Sequence, residues 1–176
     1  MMSQSRGRLN GVHPVLGDVT PFVSRLLIAL AESGLRASEW ARMDHIAYRV
    51  ETEERYRSVK SMLLEADPLV SEELVNGRPI SVFKLAEPFE VCGYRIDAFE
   101  LPAPGRTPYA EGFEHAEFVI KDSLLDFLKR HESLTFDKSE MEKKLNPGVS
   151  LILPGGAAKF REIGILEVVG HRQQER

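Results

Sequence analysis

Apolar residues recur at helical spacing from Phe22 through Leu26, Leu27, Leu30 and Ala31, between Thr20-Pro21 and Gly34. Threonine suits a helix cap, proline the first helical position and glycine the stop. A helix over residues 21–33 is predicted, within an N-terminal helical segment 20–42. The residues before it, 1–19, are mostly polar and Gly-rich and are expected to be disordered. Next comes Met43-Asp-His-Ile-Ala-Tyr-Arg-Val50, with the β-branched and aromatic content of a strand. Thr52 can cap a helix from Glu53 to about Ala66, whose apolar stripe is Tyr56, Val59, Leu63 and Ala66. Leu69–Val75 and Pro79–Leu85 flank Asn76-Gly77, a strong hairpin signal, and Arg95–Leu101 reads as a fourth strand.

The same order then returns. At a shift of 70, Phe113-Glu-His-Ala-Glu-Phe-Val-Ile120 matches Met43–Val50 in character: His45 meets His115, Tyr48 meets Phe118, and Val50 meets Ile120. Asp122 can cap a second helix reaching about His131, and Ile80–Phe83 matches Val149–Ile152 at a shift of 69. A last strand at about Ala158–Ile163 takes the place of Arg95–Leu101, and a short helix is expected over 166–174. Residues 137–145 are open between a helical turn and part of a hairpin. The fold expected is α+β: two βαβββ modules, residues 43–105 and 106–176, forming one curved mixed sheet.

The repeat carries chemistry. Side chains alternate across a strand, so Asp44, Ile46, Tyr48 and Val50 are expected on the helix face, and His45, Ala47 and Arg49 on the other. The second copy puts His115, Glu117 and Val119 on that other face. Glu100 on the fourth strand joins them, and a curved sheet would gather His45, His115 and Glu100 on its concave side. Two imidazoles and a carboxylate suit Zn, Fe, Mn or Ni, with open positions for a chelating molecule. Arg49 is a candidate substrate clamp, its other role being an ion pair with Glu117 or Glu100. Tyr109, in the Pro/Gly-rich stretch 102–112, is a candidate substrate contact. Glu117 and Glu162 are candidate acid/base groups.

Composition narrows the rest. The formal net charge is −4, with no Lys/Arg cluster, against a nucleic-acid partner. The longest strongly apolar run, Leu26–Ala31, is far short of a membrane span, and no export signal opens the chain. Cys92 is the only cysteine, so no intrachain disulfide forms and a cytoplasmic setting is expected.

Several blocks resemble a known family: Asp44-His-Ile-Ala-Tyr-Arg49, Asn76-Gly-Arg-Pro-Ile-Ser-Val-Phe-Lys-Leu85, Glu100-Leu-Pro-Ala-Pro-Gly105, Tyr109, Glu111-Gly112, Glu114-His-Ala-Glu117 and Asn146-Pro147. They are similar to the YecM-like family, a mostly uncharacterised branch of the vicinal oxygen chelate (glyoxalase/dioxygenase) superfamily. The superfamily places metal ligands on the first and fourth strands of each module, which implicates His45, Glu100 and His115. The family's last strand usually reads Lys-Phe-His; here it is Lys159-Phe160-Arg161. Arginine stays protonated and ligates no metal, so only Glu162 next door offers a carboxylate there, if the register shifts by one. The resemblance implies a metal-dependent lyase, isomerase or dioxygenase acting on a small oxygenated molecule. The alternative is a metal-free small-molecule-binding protein using the same pocket. Monomer and homodimer both remain open, since such modules pair within one chain or across two.

Overall fold

The computed structural model describes residues 10–175; the expectation of disorder for residues 1–9 lies outside them. Residues 10–19 are not disordered. β1 (Val12–His13) and β2 (Gly17–Asp18) form a small hairpin, with Leu16 and Val19 buried. Its hub is His13, buried in a segment whose polar composition suggested no structure. Its Nδ1 accepts from the Val15 and Leu16 amides, and its Nε2 donates to Asp67 at 2.7 Å.

Helix α1 (Thr20–Glu32) carries Pro21 in its first turn, and a single 3₁₀ turn (Ala37–Glu39) leads into β3 (Trp40–Arg49). In α2 (Glu53–Leu64) the Thr52 hydroxyl accepts from the Arg55 amide, as a cap does. β4 (Leu69–Val75), β5 (Arg78–Val91) and β6 (Tyr94–Pro102) follow as a meander. Asn76 and Gly77 both take positive φ, as a type I′ turn demands. The second copy comprises β7 (Gly112–Ile120), α3 (Leu124–Arg130), β8 (Gly148–Leu153) and β9 (Gly156–Arg161). Ser123, rather than Asp122, caps α3: its hydroxyl accepts from the Asp126 amide. The segment between α3 and β8 touches the sheet through one bridge, Asp137 with Ser150, where the first module has a full strand. Helix α4 (Ile165–Gln174) closes the described chain.

Seven strands form one mixed sheet in the order β4-β5-β6-β3-β7-β9-β8, so the two modules pair within one chain through antiparallel β3 and β7. The main core lies on the α1–α3 face, where Phe83, Phe99, Phe118, Phe127 and Phe160 are fully buried. The other face is concave and carries a smaller cluster of Val82, Ala98 and Ile165, covered by α4. Among the described residues no helix is long and apolar enough to cross a membrane.

Candidate functional site

His45 and His115 come from β3 and β7, the two central strands, and both rings are buried. The ladder between these strands slips twice. Met43 pairs with Phe118 and His45 with Glu117, so Asp44 is an extra residue; Ala47 pairs with His115 and Tyr48 with Phe113, so Glu114 is another. Each bulge sits one residue before a histidine and lets consecutive side chains meet. Asp44, expected on the helix face by strict alternation, therefore reaches His45. The Nδ1–H of His45 donates to Asp44 Oδ2 at 2.9 Å, and that of His115 donates to Glu114. The Asp-His and Glu-His doublets, 70 residues apart, are a signal in the sequence that strict alternation passes over. Asp44 also accepts from the Ile165 amide at 2.8 Å and from Arg42 Nε at 3.0 Å, tying the start of α4 to the site. Gly164 packs tightly there: a Cβ would lie 2.2 Å from Asp44 Oδ1 and 2.3 Å from Arg42 NH2, so a larger residue displaces these side chains.

With Nδ1 held, both Nε2 atoms are buried and have no hydrogen-bond partner among the described residues. Glu100 Oε2 lies 3.7 Å from His45 Nε2 and 3.6 Å from His115 Nε2, and Glu117 Oε2 lies 3.7 Å from His45 Nε2. One donor atom from each of His45, His115 and Glu117 falls within 4.8 Å of the others. Metal–ligand bonds of about 2.0–2.2 Å place ligand atoms roughly 3 to 3.7 Å apart, so these residues fit a divalent ion. Carboxylates that hold the far ring nitrogen fix the tautomer and raise ligand basicity. The sequence expectation therefore gathers His45, His115, Glu100 and Glu117 in one place. The carboxylates of Asp44 and Glu114, each bonded to the Nδ1–H of the next residue, complete it.

Charge explains the protonation. Burial pulls the His45 pKa down, but the charges of Glu117 and Glu100 and the bond to Asp44 outweigh it and raise it to about 10. Burial raises the pKa of Asp44, yet the His45 ring and the Ile165 amide bring it down to about 2. Glu100 is likewise held well below the usual carboxylate range, against its burial, by the two imidazoles.

Arg161, at the position of the family's last-strand histidine, donates from Nε to Glu117 Oε1 at 2.9 Å, from NH1 to the Asn146 carbonyl at 2.6 Å, and from NH2 to Glu140. Glu162 is not at the site. It accepts from the Leu124 amide at 2.7 Å, capping α3 on the helix side of the sheet, because β9 keeps its register with β7 and no one-residue shift occurs. Arg49 pairs with neither Glu117 nor Glu100; its NH2 lies 3.3 Å from Glu114 and its guanidinium stacks 3.9 Å from the Tyr109 ring centroid. Cys92 is exposed in the turn between β5 and β6, away from the site. The cavity beside His115, of about 170 Å³, is lined by residues of β3, β4, β5, β6, β7 and β9, by the segment before β8 and by α4. The α4 wall is the feature that sequence reading missed.

A family model described as YecM protein matches residues 12–167. Protein YecM of Escherichia coli K12 is 33% identical over 180 residues, covering 90% of this chain and 94% of the relative. The solved structure of a structural-genomics target, Protein EC4020, superposes with a TM-score of 0.71 at 26% identity, covering 86% of this chain and 87% of that one. Streptomyces coelicolor methylmalonyl-CoA epimerase in complex with 2-nitronate-propionyl-CoA matches at 15% identity and a TM-score of 0.48, covering 69% of this chain and 96% of that one.

Proposed function

The chain belongs to the YecM family, and on that premise we propose that its concave pocket is a metal-dependent catalytic centre of the glyoxalase/dioxygenase type, acting on a small oxygenated molecule. The observation that carries this reading is the pair of buried, unpartnered Nε2 atoms, each with its Nδ1 fixed by the preceding carboxylate. Buried polar atoms left without partners are rare and call for a reason. His45, His115 and Glu100 hold a divalent ion (zinc, iron, manganese or nickel). Glu117, held by Arg161 and lining the same cavity, serves as a further ligand or moves a proton to and from the bound molecule. The ion, when bound, supplies Lewis-acid polarisation of a carbonyl or enediol oxygen. Arg49, which lines the cavity, carries Tyr109 stacked on its guanidinium, and its bond to Glu114 steadies the His115 side of the pocket. The exposed thiol of Cys92 suits a reducing, cytoplasmic setting.

The test is elemental analysis of tag-free protein beside a His45→Ala/His115→Ala double variant. Near-stoichiometric metal in the wild type and its loss in the variant are expected. Wild-type protein free of metal after incubation with Fe(II), Mn(II), Ni(II) and Zn(II) overturns the reading. One observation favours a second reading, a metal-free binding protein. With His45 protonated, the imidazolium, Arg161, Glu100 and Glu117 already balance charge without an ion.

A further inference from the structure

Two walls of the cavity run in the same chemical order away from the histidines. Along β5, Val82 pairs with Glu100 and Ile80 with Pro102, and Arg78 stands two residues further on the same face. At about 3.4 Å per residue, Arg78 leaves the backbone roughly 14 Å beyond Val82. Along α4, Ile165, Val168, Val169 and Arg172 share one helical face and line the same cavity. Ile165 is the residue whose amide binds Asp44. At about 1.5 Å per residue, Arg172 lies roughly 10 Å down the helix from it. Each wall therefore passes from imidazole and carboxylate, through aliphatic side chains, to a guanidinium. Arg78 gives NH1 to the Ala103 carbonyl at 3.1 Å, and Arg172 is exposed near the end of α4. Six Lys or Arg and four Glu side chains line the cavity, so it is cationic in a chain whose net charge is −4. Arg49, by contrast, is committed to Glu114 and Tyr109.

We propose that the molecule bound in this cavity carries an anionic tail, a carboxylate or a phosphate, joined by a short apolar spacer to its oxygenated head and held by Arg78 and Arg172. A cavity of about 170 Å³ is below the size of drug-scale pockets, which limits the enclosed ligand to a small metabolite. The inference rests on the metal-centre reading for the head group only; the tail clamp stands on the two walls.

Binding of matched probes to the full chain, incubated with Zn(II), tests it by calorimetry. The probes are 2-oxoglutarate, 2-oxopentanoate (a methyl in place of the tail carboxylate), the phosphonate-tailed analogue of 2-oxoglutarate, and plain glutarate. 2-Oxoglutarate or its phosphonate analogue is expected to bind at least about tenfold more tightly than 2-oxopentanoate, as a charged hydrogen-bond pair provides. Whichever of the two is tighter identifies carboxylate or phosphate. The R78Q/R172Q double variant, at two positions outside the buried core, is expected to keep its melting temperature and zinc content and to lose this preference. Equal binding of 2-oxopentanoate, survival of the preference in R78Q/R172Q, or no binding of any anionic-tailed probe overturns the tail assignment. Failure of the metal reading shows separately: the wild type retains no zinc and binds glutarate as tightly as 2-oxoglutarate, still through the two arginines.

Discussion

The two modules use one construction and finish it differently. Each has a bulged carboxylate, Asp44 or Glu114, holding the Nδ1 of the next residue, His45 or His115. At the next level they diverge. Ala47 pairs across to Glu100 in the first module, whereas Glu117 pairs across to Lys159 in the second. Each module thus supplies one imidazole and one carboxylate to a shared centre, but the carboxylate comes from the outer strand in one and from the histidine strand in the other. The consequence is electrostatic. Glu100 faces two imidazoles, while Glu117 is also bound by the Arg161 guanidinium. A repeat built on one backbone plan thus carries one carboxylate set between two imidazoles and one paired with a guanidinium, the asymmetry on which the proposed division between a ligand and a proton-handling group rests.

The largest contrast lies beneath the site. Phe160 in the second module packs among Phe118, Phe127, Phe136 and Trp40, with ring centroids 4.8 to 6.3 Å away. Phe99 in the first stacks on Phe83 at 5.1 Å and meets His13 at 5.8 Å. Phe160→Ala is expected to cost about 4–5 kcal/mol and Phe99→Ala about 3–4 kcal/mol in urea unfolding. Equal costs would show that the second module's aromatic cluster adds nothing beyond buried volume. Next in size is the ion-pair contrast. Arg161 and Glu117 have side chains only 9% and 6% exposed, so Arg161→Met strands a buried carboxylate and is expected to cost about 3 kcal/mol. The first module's Arg49 reaches Glu114 at 3.3 Å with both side chains partly wet, and Arg49→Met is expected to cost below about 1 kcal/mol.

Much of this was legible in the sequence, for a physical reason. Alternation along a strand is local, so it placed His45, His115, Glu117 and Glu100 on one face, and repetition at a shift of 70 identified the two central strands. What broke that rule was also local but had no template. A bulge adds one residue, reverses the facing of its side chain, and moved Asp44 from the core to the site. The fate of Glu162 depended on register: with β9 in step with β7, it points to the α3 amides. The α4 wall was illegible because a short amphipathic helix does not declare which face of a sheet it covers. Its position is set by a contact across the chain, from the Ile165 amide to Asp44. The first-strand hairpin shows the same limit: the partner that orders His13 is Asp67, 54 residues away.

The two carboxylate–imidazole pairs differ in burial, and metal affinity should register it. Asp44 is 8% exposed and also anchors α4, whereas Glu114 is 28% exposed and shares its charge with Arg49. Removing such a supporting carboxylate typically lowers metal affinity by about 10–100-fold. Asp44→Asn is expected near the upper end of that range and Glu114→Gln near the lower, measured by competition with a chromophoric chelator. If Glu114→Gln is the more damaging, the centre is organised around the second module, and Glu100 is not its principal anionic ligand.

The smallest effect is the most diagnostic of what occupies the centre. A His45 pKa raised from 6.5 to about 10 means that, without metal, folding takes up a proton at neutral pH. That stabilisation is complete below pH 6.5 and is lost as pH rises through about 10. The Asp44 pKa, lowered from 3.8 to about 2, acts in the opposite window: its contribution is present above pH 3.8 and is lost as pH falls through 2. Metal reverses the first trend, because an imidazole must be neutral to ligate, so loading releases protons and strengthens as pH rises. Chelator-treated protein is therefore expected to lose roughly a few degrees of Tm between pH 7 and 10, while zinc-loaded protein holds its Tm and the gap between them widens. His45→Gln should flatten the first curve and close the gap. A chelator-treated wild type that melts at the same temperature across this range would mean that Glu100 and Glu117 do not reach His45 electrostatically. The two modules would then be neighbours on a sheet rather than halves of one centre.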